Sequence, residues 1–176
     1  MTLDARAAQL RLLLFDVDGV LTDGTVVMHE DGGESKQFSI RDGTAIVLAH
    51  RAGLMTGILS GRTSGATARR AAQLSMAIVE QSSLDKLAVY ERLLAEHHLR
   101  DAEVAFMGDD LLDLPVLRRV GLSACPADGV AEVRAAVDWV SLSNGGRGAV
   151  RELVEFVLRA RGDRQTVVAP FMGPPG

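Results

Sequence analysis

The chain has 176 residues, a formal net charge of −4, and a composition that is 47% hydrophobic but only 4% aromatic. This length suits one compact domain, and an acidic chain with few aromatic side chains lacks the charge and stacking surface of a nucleic-acid-binding protein. Its longest apolar runs hold four or five residues, far fewer than the ~20 that span a bilayer, so we expect a soluble cytoplasmic protein without membrane or nucleic-acid partners.

Short apolar runs alternate with helix-like segments along most of the chain. Runs bounded by Gly, Asp or Ser predict buried strands at 12–15, 55–60, 103–108 and 137–142. Apolar residues at helical spacing predict helices at about 42–52, 63–75, 84–98, 110–120, 129–136 and 147–160. This alternation predicts an α/β fold, a doubly wound (Rossmann-like) and mostly parallel sheet with helices on both faces.

Two segments depart from this alternation. Residues 24–40 form two extended arms around Asp31-Gly32-Gly33, which predicts a β-hairpin inserted after the first strand. Residues 161–176 are rich in Gly and Pro and lack periodicity, so we expect a flexible C-terminal tail, although their apolar centre "VVAPFM" is also compatible with docking. The remainder, residues 1–160 with the hairpin, is expected to form a single domain without a linker.

The first strand ends in two acids, Asp16 and Asp18, within "LLLFDVDGVLTDG". Two carboxylates this close repel each other unless a cation neutralises them, and Mg²⁺ prefers carboxylate oxygens. With the charge neutralised, one aspartate can attack an electrophile while the other moves a proton. For this stretch alone, an acidic turn that caps the following segment is the favoured interpretation, and Asp23 is expected to start the hairpin.

A second strand end repeats the acidic pattern in "EVAFMGDDLLDLPVL", where Asp109, Asp110 and Asp113 open a predicted helix. Acids in the first turn of a helix are ordinary capping and dipole partners. Because the carboxyl ends of parallel strands share one edge of the sheet, metal binding by Asp109 together with Asp16 is the favoured interpretation.

A third strand end, Ser60-Gly61-Arg62, precedes another predicted helix. A hydroxyl and backbone N–H groups at such a position predict a phosphate site, with a helix N-cap as the simpler alternative for Ser60. Lys86 lies near the start of a helix, where the dipole disfavours a cation. Taken alone, a solvated lysine is the simpler interpretation; taken with the other three elements, Lys86 is expected to balance the carboxylates and hold a phosphoryl oxygen.

Taken in their order along the chain, these four elements resemble the motifs of the haloacid dehalogenase superfamily of phosphotransferases. The motif D-x-D-x-[TV] is matched by residues 16–20, the strand ending in Ser or Thr by Ser60, the lysine by Lys86, and G-D-D-x-x-D by residues 108–113. The resemblance covers residues 11 to about 160.

The resemblance implies a mechanism and a role for each motif residue. Asp16 would be the nucleophile that forms an aspartyl-phosphate, and Asp18 would protonate the leaving alcohol and then activate water. The remaining roles implied are Mg²⁺ binding by Asp16, the backbone carbonyl of Asp18 and Asp109, support of the metal site by Asp110 and Asp113, and phosphate binding by Ser60, Gly61 and Lys86.

The spacing of the motifs indicates a capless subgroup. About 40 residues separate the first and second motifs and about 25 separate Ser60 from Lys86, too few for a cap domain of ~50 residues or more. The phrases "DVDGVLTDG", "FSIRDGTAI", "GDDLLDLPVLRRVGLS" and "GGRGAVRE" are similar to those of 3-deoxy-D-manno-octulosonate 8-phosphate phosphatases. That resemblance implies a small phosphorylated sugar acid as substrate, a role in lipopolysaccharide synthesis, and a homotetramer with hairpins at its interface.

Two arginines near the predicted site are candidates for substrate recognition. Arg62 and Arg147 are candidates for binding the sugar's carboxylate or phosphate, since an arginine offers a bidentate fork to either. A solvated charge is an equal alternative for Arg147. The chain carries "VEQSSLDK" where related sequences have Y-Q-G before the lysine, and Thr63-Ser64-Gly65 where they often have a lysine. A 2-keto-3-deoxynononate 9-phosphate phosphatase is therefore an alternative. A non-catalytic oligomeric binding module is another, although both aspartates of the first motif are intact.

Overall fold

The computed structural model describes residues 1–173, in which eight strands and eight α-helices alternate. The strands are β1 (Leu12–Phe15), β2 (Val27–Met28), β3 (Glu34–Ser35), β4 (Met55–Leu59), β5 (Ile78–Glu80), β6 (Val104–Met107), β7 (Leu122–Cys125) and β8 (Trp139–Val140). The α-helices are α1 (Leu3–Ala7), α2 (Ile40–Arg51), α3 (Gly65–Gln73), α4 (Lys86–Glu96), α5 (Leu114–Leu117), α6 (Ala131–Ala136), α7 (Ala149–Arg161) and α8 (Arg164–Met172).

The main sheet has six parallel strands in the order β5-β4-β1-β6-β7-β8. The chain leaves β1 for β4 and β5 on one side, then returns to β6 on the other. This reversal leaves a crevice at the carboxyl ends of β1 and β6, the place where open α/β sheets bind ligands. Phe15 is level with Ile58 and Met107, so the residues that follow these three strands reach the same edge.

Both faces of the sheet are buried, as β1 illustrates. Leu13 and Phe15 belong to one apolar cluster, which includes residues of α2 and α7. Leu12 and Leu14 belong to a second cluster, which includes Tyr90 of α4. Successive side chains of a strand point to opposite faces, so a strand that is apolar throughout requires helices on both sides. The predicted doubly wound α/β fold is thereby confirmed.

The predicted hairpin is present as β2 and β3, an antiparallel pair that stands apart from the main sheet. Its turn is closed by Asp31, whose Oδ1 accepts a hydrogen bond of 2.9 Å from the backbone N–H of Gly33. Val27 and Met28 in β2 are 47% and 66% exposed. The hairpin therefore presents apolar side chains to its surroundings and covers no part of the core with them.

Several elements differ from the sequence prediction. Strands β5 and β7 and helix α1 were not predicted, because each is short and neither strand has a long apolar run. The helix predicted over 110–120 is shorter: a 3₁₀ turn at Leu111–Asp113 precedes α5, which has Pro115 near its start.

The C-terminal segment also differs from the aperiodic tail predicted over 161–176. Residues 164–172 form α8, in which Val167 is buried. The Arg51 guanidinium lies 4.7 Å from the centre of the Phe171 ring. Residues 174–176 of the predicted tail lie outside the described residues, and flexibility of the segment stays a prediction. No helix within residues 1–173 combines the length and apolar character needed to cross a membrane.

Candidate active site

Asp16 is the first residue after β1 and lies at the bottom of the crevice. Its backbone N–H donates a 2.9 Å hydrogen bond to the carbonyl of Met107 in β6, which ties the two strand ends together. The residue is only 8% exposed. Burial and the nearby Asp113 carboxylate raise the pKa of Asp16 to about 6, and the Lys86 ammonium limits that rise.

Lys86, the first residue of α4, is the buried cation of this crevice. Its Nζ lies 2.6 Å from Asp113 Oδ1 and 2.9 Å from Asp16 Oδ1. Burial alone would lower the pKa of Lys86, but the two carboxylates outweigh burial and raise the pKa above its usual value. Lys86 therefore stays charged and joins the acid after β1 to the acid that follows β6.

Asp109 and Asp113 reach the crevice from the segment after β6. Asp113 Oδ2 accepts hydrogen bonds from the backbone N–H groups of Asp109, at 2.9 Å, and Asp110, at 3.2 Å. This close approach depends on Gly108, since a Cβ atom there would lie 2.5 Å from Asp113 Cβ. The carboxylates of Asp16, Asp109 and Asp113 each place one oxygen within 4.8 Å of the other two.

The surroundings of Asp109 indicate that these three carboxylates are suited to binding a cation. Its Oδ1 is buried and has no hydrogen-bond partner among the described residues. Burial, followed by repulsion from Asp16 and Asp113, raises the pKa of Asp109 to about 8. One lysine cannot neutralise three carboxylates. A hard divalent cation that takes oxygen ligands, such as Mg²⁺, would satisfy both the unpaired oxygen and the excess negative charge.

The carboxylate of Asp18 is bound by the hairpin. Lys36, directly after β3, donates from Nζ to Asp18 Oδ1 at 2.5 Å and to Oδ2 at 2.8 Å. Arg62 Nε lies 3.4 Å from Asp18 Oδ2, and Arg62 also pairs with Glu34 at 3.2 Å. Lys36 and Glu34 were not among the residues predicted from the sequence. The available signal was the insertion of the hairpin at the edge of the sheet that carries Asp18.

Ser60 follows β4, the neighbour of β1, and is 3% exposed. Its Oγ accepts a 3.3 Å hydrogen bond from the backbone N–H of Arg62, and its carbonyl accepts one of 3.1 Å from Ser83. The N-cap of the following helix is Ser64, not Ser60. The simpler interpretation of Ser60 as a helix cap is therefore wrong. Of the residues that the structure describes, a Cβ atom on Gly61 would meet only the Ser83 carbonyl, at 3.7 Å, so the backbone at Gly61 is open.

Two predicted residues lie at the margin of this arrangement. Asp110 uses its Oδ1 to accept a 2.6 Å hydrogen bond from the backbone N–H of Leu111, at the start of the 3₁₀ turn. Arg147 is 68% exposed and pairs with Asp23 at 3.5 Å. With Arg41 it lines a cavity of about 400 Å³ between the base of the hairpin and the loop before α7. Arg147 thus lies beside the crevice and not among its carboxylates.

Comparison with known proteins connects this geometry to one family. A family model described as haloacid dehalogenase-like hydrolase matches residues 66–153. The chain is 39% identical over 158 residues to the 3-deoxy-D-manno-octulosonate 8-phosphate phosphatase KdsC of Escherichia coli strain K12, covering 90% of this chain and 84% of that protein.

Solved structures give the same result. A crystal structure of 3-deoxy-D-manno-octulosonate 8-phosphate phosphatase from Yersinia pestis matches with a TM-score of 0.89 and 39% identity, over 91% of this chain and 86% of that chain. A structure of the enzyme of that name from Moraxella catarrhalis, in complex with a magnesium ion, a phosphate ion and a KDO molecule, matches with a TM-score of 0.93. Its identity is 32%, over 96% of this chain and 97% of that chain.

Proposed function

Because the chain belongs to the haloacid dehalogenase-like hydrolases and is a phosphatase, we propose that it hydrolyses the phosphomonoester of a 2-keto-3-deoxy sugar acid, with Mg²⁺ as cofactor. The substrate we favour is 3-deoxy-D-manno-octulosonate 8-phosphate, the sugar named in the relatives from Escherichia coli and Yersinia pestis. The products would be the free sugar acid, used in lipopolysaccharide synthesis, and inorganic phosphate.

The observation that carries the proposal is the junction of two strand ends through Lys86. Asp16 after β1 and Asp113 after β6 bind the same ammonium, while one buried carboxylate oxygen of Asp109 has no partner within residues 1–173. Phosphoryl transfer requires mainly positioning and neutralisation of charge, with little covalent chemistry from other groups. Buried Asp16 lies beside the ammonium of Lys86 and beside acids that can bind a metal ion, and this arrangement meets both requirements.

The proposed first step is attack by an Asp16 carboxylate oxygen on the phosphorus atom. A bond from Asp16 to phosphorus forms while the bond from phosphorus to the sugar oxygen breaks, and Asp18 gives its proton to that leaving oxygen. The second step reverses the role of Asp18, which removes a proton from water as the water attacks phosphorus. Inorganic phosphate leaves, Asp16 is regenerated as a carboxylate, and Asp18 is protonated again.

The phosphoryl group would be held by three groups around Asp16. Lys86 Nζ offers a charged donor that already faces Asp16. The Ser60 hydroxyl and the open backbone at Gly61 lie after the neighbouring strand and offer neutral donors. Together they would favour the charge that develops on the phosphoryl oxygens during transfer.

The metal would be held by Asp16, the backbone carbonyl of Asp18 and Asp109. Mg²⁺ bound there would neutralise the carboxylates and polarise the phosphoryl group. Asp113 supports this set directly, since its Oδ2 fixes the backbone N–H of Asp109 and its Oδ1 binds Lys86. Asp110 supports it by closing the turn from which these side chains project.

The rest of the substrate would be recognised by arginines at the rim. Arg62 and Arg147 have side chains that are 54% and 68% exposed, so each can turn toward an anionic group. A guanidinium binds a carboxylate through two parallel hydrogen bonds. We assign to them the carboxylate of the sugar acid.

The functional unit we propose is a homotetramer whose interface is formed by the hairpins. Support comes from the exposed apolar residues Val27 and Met28 on a hairpin that projects from the main sheet. A capless site would gain the cover of neighbouring subunits in such an assembly.

The test is a turnover panel. Purified protein with Mg²⁺ is assayed for phosphate release from 3-deoxy-D-manno-octulosonate 8-phosphate, 2-keto-3-deoxynononate 9-phosphate and 4-nitrophenyl phosphate, with Asp16→Asn as the matched inactive control. The octulosonate ester should have the highest kcat/KM. Full activity in Asp16→Asn would disprove the nucleophile, and no turnover of any ester by the wild type would disprove the function.

A further inference from the structure

The chain contains two lysines, Lys36 and Lys86, among its 19 basic residues. The structure places both ammonium groups on aspartates of the first motif. Lys86 contacts Asp16 at 2.9 Å and Lys36 contacts Asp18 at 2.5 Å. Elsewhere the chain uses arginine for its cations. A lysine supplies a compact point charge where a guanidinium would need more room.

The surroundings of Lys36 show that its contact with Asp18 is built into the fold. Its side chain is only 1% exposed, although it belongs to a surface hairpin. Nζ donates to both carboxylate oxygens of Asp18, and the next acid, Glu34, lies 3.9 Å away. Burying an ammonium is costly unless it is paired, so the pairing with Asp18 determines where Lys36 lies.

This contact restricts the side chain of Asp18. Asp18 is in the wide turn after β1, directly before Gly19, whose φ is +87°. A carboxylate on such a turn can rotate unless both of its oxygens are held. Proton transfer in catalysis requires the donor and acceptor to be within hydrogen-bond reach and correctly aligned. As the acid of the first step, Asp18 carries its proton on one oxygen and accepts the Lys36 hydrogen bond on the other, so Lys36 holds the carboxyl in place while the protonated oxygen faces the leaving group.

We infer that Lys36 is a positioning residue for Asp18, so that the hairpin contributes to the active site of its own subunit. The inference rests on the proposed function and deepens it, because it assigns a task to a residue that no motif contains. It predicts a selective effect: reactions that need the proton of Asp18 depend on Lys36, and reactions that do not need it are insensitive to Lys36.

The leaving group of the ester separates these two cases. An alkoxide is a poor leaving group and needs a proton as the bond to phosphorus breaks. The 4-nitrophenolate ion is stable without one. The kcat/KM value reports the steps up to phosphoryl transfer and leaves out the later hydrolysis, which is common to both esters.

The experiment compares kcat/KM for a sugar phosphate and for 4-nitrophenyl phosphate in the wild type, Lys36→Met and Asp18→Asn. Because general acid catalysis contributes about 10²–10⁴-fold, Asp18→Asn should lose about that much with the sugar phosphate. In Lys36→Met, kcat/KM for the sugar phosphate should fall at least about tenfold, because part of the same acid catalysis is lost. With 4-nitrophenyl phosphate, kcat/KM of both variants should stay within about threefold of the wild-type value, because this leaving group needs no proton. Glu30→Gln, at an exposed position in the turn of the same hairpin, is the control and should leave both kcat/KM values unchanged.

Equal losses with both esters in Lys36→Met would show a merely structural role and overturn the inference, as would no loss with either. The thermal unfolding of Lys36→Met is measured first. If this variant does not fold, Lys36→Gln takes its place, and the loss of kcat/KM with the sugar phosphate is again compared with the loss with 4-nitrophenyl phosphate. Failure of the proposed function looks different, since the wild type would then release no phosphate or Asp16→Asn would remain active.

Discussion

Gly19 faces Asp109 across the crevice so closely that a Cβ atom on Gly19 would overlap the Asp109 carboxylate, lying 2.5 Å from its Cγ. Gly19 also has a φ of +87°, a conformation that other residues adopt only with strain. The turn after β1 and the acid after β6 are therefore fitted to each other at a position where only glycine is possible.

Gly19→Ala should lower both stability and activity. The strained φ costs about 1–3 kcal/mol, and displacement of Asp109 by the new methyl group should reduce kcat by up to ~10²-fold. Gly53→Ala is the matched control, because Gly53 has a φ of +76° and a Cβ atom there would lie more than 4 Å from every non-adjacent residue in the described part of the chain. Gly53→Ala should lose stability and keep its kcat. Similar kcat losses in both variants would contradict the fit between Gly19 and Asp109.

Lys86→Met should be more damaging than loss of an ordinary surface cation. It leaves Asp16 and Asp113 as buried carboxylates without their cation, a change that costs about 3–5 kcal/mol in buried pairs. Turnover should also fall by about 10²–10³-fold, since a charged donor to the phosphoryl group is lost. Arg92→Met on the same helix removes a 47% exposed cation and should change stability by less than about 1 kcal/mol. Urea unfolding and phosphate release measure the two effects.

Mg²⁺ should stabilise the protein as well as support its turnover. Burial, together with repulsion from Asp16 and Asp113, raises the pKa of Asp109 to about 8, and a cation bound by Asp16 and Asp109 would relieve that repulsion. At 100 times its dissociation constant, a ligand of the folded state adds about 2.7 kcal/mol. Differential scanning calorimetry with Mg²⁺, against NaCl of equal ionic strength, should show a higher Tm that Asp109→Asn abolishes. A chelator should stop phosphate release, and an equal Tm shift in Asp109→Asn would place the ion elsewhere.

The acids of this site could be predicted from the sequence because strand ends are local signals. Asp16 and Asp109 each follow an apolar run, and parallel pairing of those runs brings the two residues to one edge. The role of Asp113 was harder to predict, since an acid in a first turn is usually a cap, and here it binds both Lys86 and two backbone N–H groups. Lys36 could not be predicted, because its approach to Asp18 depends on the path of the whole hairpin.

The pH dependence of stability should include a contribution from Asp138, far from the crevice. Its carboxylate accepts hydrogen bonds from Arg6 at 2.8 and 2.6 Å, and from the N–H and Oγ of Ser123 at 2.9 and 2.8 Å. Burial alone would raise the pKa of Asp138, but these donors outweigh burial and hold it below its usual value. A carboxyl group whose pKa is lowered by folding stabilises the folded state, and this contribution is complete at pH values above the pKa of the group in the unfolded chain, about 3.9. That stabilisation is lost as the pH falls through the folded-state pKa.

Asp138→Asn should therefore be destabilised at pH 7 by about 1.5–3 kcal/mol, the contribution of hydrogen bonds to a charged group. The difference from the wild type should shrink as the pH falls below about 3.9. Urea unfolding of both proteins at several pH values measures it. A difference that stays constant with pH would show that shape, not charge, is what Asp138 contributes.

The hairpin interface makes a separate prediction about assembly. Met28 is 66% exposed in β2, and Val27 beside it is 47% exposed. If hairpins of several subunits pack together, Met28→Glu places a carboxylate into that apolar contact, where an unpaired charge is costly to bury. Analytical ultracentrifugation should show a tetramer for the wild type and smaller species for Met28→Glu. Leu142→Glu, at a residue that is 91% exposed after β8, is the matched control and should leave the tetramer intact. A wild-type monomer, or equal dissociation of both variants, would show that the hairpin is not at the interface.

Lys36 is carried by the same hairpin and binds Asp18 of its own chain. Dissociated Met28→Glu should therefore retain the Lys36-dependent preference between alkyl and aryl esters.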